Sequence, residues 1–220
     1  MSSTTPSTSL PLRADARRNR ELILEAARDA FAEGGMDVGV EEIARRAGVG
    51  KATFFRRFPT KEALVVAVFE GFIEEVIAAV DVALLETECP LAPLRAFLRH
   101  SMESQAKNKA FFEAVATRFV PPPAMTDRVM EAIERVMAPA IEAGVLRDGI
   151  EPGDVSTATK MLGAAIRPMD GLLLPEPSWD RYLDVVIRGL AKAEGARDEP
   201  MHGVAADPCT MVREFSAKSA

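Results

Sequence analysis

Apolar positions recur along this 220-residue chain at spacings of three and four, with no sustained alternation at two. Such a period gathers side chains on one face of an α-helix, so the pattern predicts an all-α protein. Ile23, Ala27, Ala30 and Phe31 stripe a first helix over residues 15–33, which Gly34-Gly35 ends. Two short helices follow, marked by Ile43 with Ala47 and by Phe54 with Phe58. Gly48, between them, can take the positive φ that stops a helix abruptly. Pro59 stops the second, and Thr60 can cap the next. Leu64, Val68, Phe72, Val76 and Val80 then run to about Glu86.

Further helices are expected over residues 94–105, 111–119 and 129–141, separated by Asn108-Lys109 and Pro121-Pro122-Pro123. Asp154 is expected to cap a helix reaching about Leu174, kinked or cut short at Pro168. The last helix has the most continuous stripe: Trp179, Tyr182, Leu183, Val186, Ile187 and Leu190. Residues 1–14, which include a Ser/Thr/Pro-rich start, are expected to form a disordered leader, and the aperiodic residues 195–220 a disordered tail. No internal repeat appears, and no window holds eighteen consecutive apolar residues, so a transmembrane helix is not expected.

The two short helices carry the chemistry. With Phe54 and Phe58 inward, the second shows Lys51, Thr53, Arg56 and Arg57 outside. A short helix with a basic, hydroxyl-bearing outer face has the shape to enter a DNA major groove. The formal charge of −6 fits poorly until it is divided: residues 1–65 hold 11 Lys/Arg against 9 Asp/Glu, and the acidic excess lies in the rest. Placement matters more than total for DNA affinity. Cys89 and Cys209 lie far apart and form no metal-ligand motif with His100 or His202. No nucleophile–base constellation or P-loop is present, so neither an enzyme nor a bound metal or cofactor is expected.

The helix ahead of the motif, the helix-turn-helix at residues 40–58 and the following Phe58-Pro59-Thr60-Lys61-Glu62-Ala63-Leu64 resemble, in order and spacing, the TetR family of bacterial transcriptional repressors. The resemblance covers about residues 17–70. It implies a helix-turn-helix DNA-binding domain over 15–60 and a helical ligand-binding and dimerisation domain over 61–194 of a cytoplasmic homodimer. Lys51, Ala52, Thr53, Phe55, Arg56, Arg57 and Lys61 are then the expected DNA contacts. Lys51 and Thr53 are the base readers; Arg57 and Lys61 are placed for phosphates. Arg13, Arg17, Arg18 and Arg20 form an N-terminal basic arm, equally readable as solvated surface. The chain departs from the family pattern at Gly39, often Thr or Ser, at Phe55, usually Tyr, and at Arg57, often His.

For the body, the resemblance implies an inducer cavity, and the few polar groups beside its apolar stripes, with one Tyr and one Trp in the chain, point to a small, mainly hydrophobic molecule. The cavity's expected lining is Phe97, Ser101, Met102, Gln105, Phe112, Arg118, Met137, Met161 and Arg167, with the arginines as anchors for an anionic group. The same Phe and Met stripes also read as plain core, which leaves a ligand-independent architectural or partner-regulated DNA-binding protein as the alternative. Tyr182, Val186 and Leu190 are the expected outward set of the last helix, for a four-helix interface with a second copy.

Overall fold

A computed structural model describes residues 9–85, 89–165 and 178–192. Among these, nine α-helices account for the fold: α1 Ser9–Gly34, α2 Val40–Arg46, α3 Lys51–Arg57, α4 Lys61–Ala83, α5 Ala92–Lys107, α6 Lys109–Arg118, α7 Pro123–Glu142, α8 Pro152–Ala165 and α9 Ser178–Leu190. No strand occurs among the described residues; one isolated antiparallel bridge pairs Leu146 with Ala191. The chain divides into two compact units. Unit 1 takes residues 1–70 and 110–118; unit 2 takes 71–109 and 119–220.

Unit 1 is built around the stripes read from the sequence. Ile23, Ala27, Ala30 and Phe31 of α1, Ile43 of α2, Phe54 of α3 and Leu64 of α4 are fully buried. Burying each of the Ile, Phe and Leu side chains among them contributes roughly 1.5–3 kcal/mol. The helix α1 begins at Ser9, six residues ahead of the expected Asp15, so part of the presumed leader is helical. It ends where Gly35 turns at φ +61. At Gly35 a Cβ would meet the Ala110 carbonyl oxygen at 3.2 Å, so glycine also allows the start of α6 to come close. There Phe111 stacks on Phe31, with ring centroids 5.7 Å apart and 19° between planes. Phe69 of α4 and Phe112 join this aromatic cluster.

Unit 2 packs α5 against α7, α8 and α9. Its core holds Val80, Leu94, Phe97, Leu98, Met102, Ile133, Val136, Met137, Leu162, Leu183, Ile187 and Leu190. The prolines act as starts as well as stops: Pro122 N-caps α7, with Pro123 at its first position, where a missing N–H costs nothing. The helix α8 starts at Pro152, two residues before the expected cap. Asp154 sits inside the first turn and reaches back, its Oδ2 accepting the Glu151 backbone N–H at 2.9 Å. That is the reverse half of a capping box, not an N-cap. Residues 166–177, with Pro168 and the expected helix end near Leu174, and the tail beyond residue 192 lie outside the described residues.

Two ion pairs join α9 to α5. Arg95 Nη1 lies 2.5 Å from Asp184 Oδ1, and Arg99 Nη2 lies 2.8 Å from Asp180 Oδ1. With both aspartates turned toward α5, Leu183, Ile187 and Leu190 face the core.

Candidate nucleic-acid interface

The turn between α2 and α3 is fixed by backbone chemistry. Gly48 sits at φ +66, and the Val49 N–H closes on the Ala44 carbonyl at 3.0 Å. Gly50 then caps α3 without a side chain, in extended conformation, and its carbonyl accepts the Phe54 N–H at 3.0 Å. Gly39 plays the same backbone-only part for α2. Thr60 caps α4 as expected: its Oγ1 accepts the Ala63 N–H at 3.1 Å.

These turns decide which residues of α3 face out. Phe54 and Phe58 are buried; Lys51, Ala52, Phe55 and Arg56 are exposed; Thr53 and Arg57 are half-buried. Lys61, one turn on, is also half-buried. Every residue of the expected contact set is thus exposed or half-buried, though the Arg57 Nε is buried with no hydrogen-bond partner. Phe55 packs edge-on against Phe54, centroids 5.4 Å apart, and remains 38% exposed. Arg20 of the basic arm lies over the Phe58 ring, 5.5 Å from its centroid, which ties the middle of α1 to the end of α3.

Charge on this surface is largely prearranged. Lys51 Nζ meets Glu41 Oε1 at 2.6 Å, and Arg56 Nη2 donates to Thr53 Oγ1 at 3.0 Å. Glu42 accepts from Arg45 at 2.7 and 2.8 Å and from Arg46 at 2.8 Å. These hydrogen bonds, Arg45's first, hold the Glu42 carboxyl at about 2, so it is ionised at neutral pH. Arg46 also reaches Glu33 of α1 at 2.9 Å, bracing α2 on α1.

The residues expected to hold an inducer divide between the two units. Phe97, Met102 and Met137 lie in the unit 2 core, with Ser101 buried beside them on α5 and Gln105 half-buried. Phe112 belongs instead to the aromatic cluster of unit 1. Arg118 pairs with Asp37 at 2.6 Å, also in unit 1, which ties the end of α6 to the segment after α1. Met161 is 65% exposed, because Val155, Ala158 and Leu162 take the inner face of α8. Arg167 lies outside the described residues. The sequence did not single out Ser104, whose Oγ is buried without a partner, or Gly163, where a Cβ would overlap the Gln105 side chain lying across α8.

The expected outward set of α9 also needs correction. Leu190 is 8% exposed and belongs to the core, and Val186 packs at its margin. Tyr182 is outward at 37%, and Val185, which is not part of the predicted stripe, is 60% exposed.

Residues 23–68 match the family model described as bacterial regulatory proteins, tetR family. A TetR transcription regulatory protein from Mycobacterium vanbaalenii is 32% identical; the match covers 83% of this chain and 100% of that one, with a TM-score of 0.59. A TetR transcriptional regulator from Streptomyces coelicolor is also 32% identical, with coverage of 78% and 98% and a TM-score of 0.58. The HTH-type transcriptional regulator RutR of Escherichia coli is 35% identical over 85 residues, which are 38% of this chain and 40% of that relative's length.

Proposed function

This chain belongs to the TetR family of DNA-binding transcriptional regulators, and from that we propose that it is a cytoplasmic, homodimeric repressor, released from a pseudo-palindromic operator by a small, mainly hydrophobic inducer. The family is one of regulators, not enzymes. No described helix is long and apolar enough to cross a membrane.

The observation that carries the DNA half is the outer face of α3. Lys51, Ala52, Phe55 and Arg56 are exposed together while Phe54 and Phe58 hold the helix to its unit. Lys51 and Thr53, in the first turn, read base edges; Arg57 and Lys61 meet phosphates. Two such helices from a symmetric pair would read half-sites about one helical turn, ~34 Å, apart. Support for the pair is the outer surface of α8 and α9, where Met161, Tyr182 and Val185 stand exposed. Apolar side chains of that size on adjoining helices match the facing surfaces of a four-helix interface. The test is selection of duplexes from a random-sequence library by the purified chain. A two-fold symmetric consensus is expected; duplexes retained without any shared sequence would contradict it.

The inducer half rests on α5. Its inner face sets Phe97 and Met102 beside Ser101, a buried Ser104 hydroxyl without a partner, and Gln105. An apolar interior with a few placed polar groups is the usual form of a small-molecule site. A panel of lipophilic compounds, some with a single hydroxyl or carboxylate, should contain one that raises the melting temperature and releases the selected duplex. A panel that does neither supports the ligand-independent alternative.

A further inference from the structure

Lys51, the first residue of α3, is held by Glu41 in the first turn of α2. Nζ and Oε1 are 2.6 Å apart, and the side chains are 63% and 66% exposed. The next carboxylate, Glu42, is directed elsewhere, to Arg45 and Arg46. The Lys51 hydrogen bond is also the main reason the Glu41 carboxyl sits below the ordinary carboxylate range. Glu41 therefore stays charged at neutral pH, on the surface that carries the DNA contacts.

The Glu41 carboxylate and a DNA acceptor compete for the same donor, the Lys51 ammonium. A carboxylate carried with Lys51 against a polyanion is itself repelled. Resting on the reading that α3 enters the groove, we propose that Glu41 attenuates DNA affinity: the Glu41–Lys51 pair opens when Lys51 engages DNA, and its loss is subtracted from binding. The subtraction applies wherever Lys51 is used.

A double-mutant cycle on the full chain isolates this from simple removal of a negative charge. Wild type, Glu41→Gln, Lys51→Ala and the double variant are titrated at one salt concentration on a duplex selected by the wild-type chain. Repulsion between Glu41 and phosphates is lost in both backgrounds, whereas the cost of opening the pair exists only where Lys51 is present. Glu41→Gln should tighten binding, and its gain should be roughly 1.4- to 5-fold larger with Lys51 present than in the Lys51→Ala background, the range expected of an exposed ion pair. Equal gains, a smaller gain with Lys51, or weaker binding by Glu41→Gln would overturn the attenuation alone. If Lys51→Ala binds the selected duplex as wild type does, the placement of α3 fails, and the attenuation with it.

Discussion

The helices α3 and α9 are both short and amphipathic, yet one discloses its role in its sequence and the other does not. In α3 the buried residues are Phe54 and the C-cap Phe58, four apart in one narrow stripe, and the other side carries Lys51, Thr53, Arg56 and Arg57 with only Ala52 and Phe55 apolar. Four of the six residues outside that stripe are polar, so the outward face can be read despite the exposed Phe55. In α9 the inward set Leu183, Ile187 and Leu190 adjoins an outward set of Tyr182 and Val185, with Val186 between them. At about 100° per residue these positions span roughly half the helix circumference. Periodicity alone cannot divide so wide an arc. Tertiary packing divides it: Leu183, Ile187 and Leu190 fill the core, and Asp180 and Asp184 pair beside them with Arg99 and Arg95 of α5. A helix declares its outward face in sequence when most of the groups it shows differ in kind from the groups it hides.

The division of α9 can be broken from either side, with the largest effects expected in this comparison. Val185→Asp should leave each subunit folded, because Val185 is 60% exposed. It should give monomers by sedimentation and abolish binding to the selected duplex. Leu190→Asp should instead unfold unit 2, seen as a lost cooperative transition in circular dichroism, since an unpaired carboxylate would enter a core shared with Leu183 and Ile187. A Val185→Asp chain that still sediments as a dimer would remove α9 from the interface.

On α3, Lys51→Ala or Thr53→Ala should cost about 1–3 kcal/mol on the selected duplex and blur its sequence preference. Arg57→Ala and Lys61→Ala should weaken all duplexes alike and flatten the dependence of log K on log salt by about 0.9 for each phosphate no longer neutralised. Uniform weakening by Lys51→Ala, with sequence preference intact, would move Lys51 from base to backbone.

The contrast between α3 and α9 holds for the whole chain. Helix number and order in the described residues, the buried stripe of α1, the Gly48 turn and the Thr60 cap were all legible, because each depends on residues within a few positions of one another. What escaped depends on distant partners. Phe112 and Arg118 read as body residues, but α6 groups with unit 1, where Phe111 meets Phe31 and Arg118 meets Asp37. Met161 read as a lining residue because it lies in an apolar segment; α8 had already filled its inner face with Val155, Ala158 and Leu162. The Glu41–Lys51 pair joins residues ten apart across a turn, a separation with no signature in either helix.

Local chemistry also predicts effects of modest size. Thr60→Ala removes the hydroxyl that accepts the Ala63 N–H and should lower stability by about 0.5–2 kcal/mol in denaturant titration, with little change in the slope. No loss would mean that water replaces the hydroxyl at this exposed helix start.

The smallest effect expected concerns Phe55, at a position where the family usually carries tyrosine. Its ring is steadied edge-on by Phe54 and is 38% exposed among the α3 residues proposed to face DNA. A phenyl ring can only lie against a sugar or phosphate, whereas a phenol also donates a hydrogen bond. Phe55→Tyr should therefore tighten the selected duplex by about 0.5–1.5 kcal/mol, the net worth of one hydrogen bond. The gain should be similar on unrelated duplexes, because a phosphate carries no sequence information. A gain confined to the selected sequence would direct the added hydroxyl to a base edge; no gain in either titration would place the ring away from the backbone and leave phosphate contact on this face to Arg57 and Lys61.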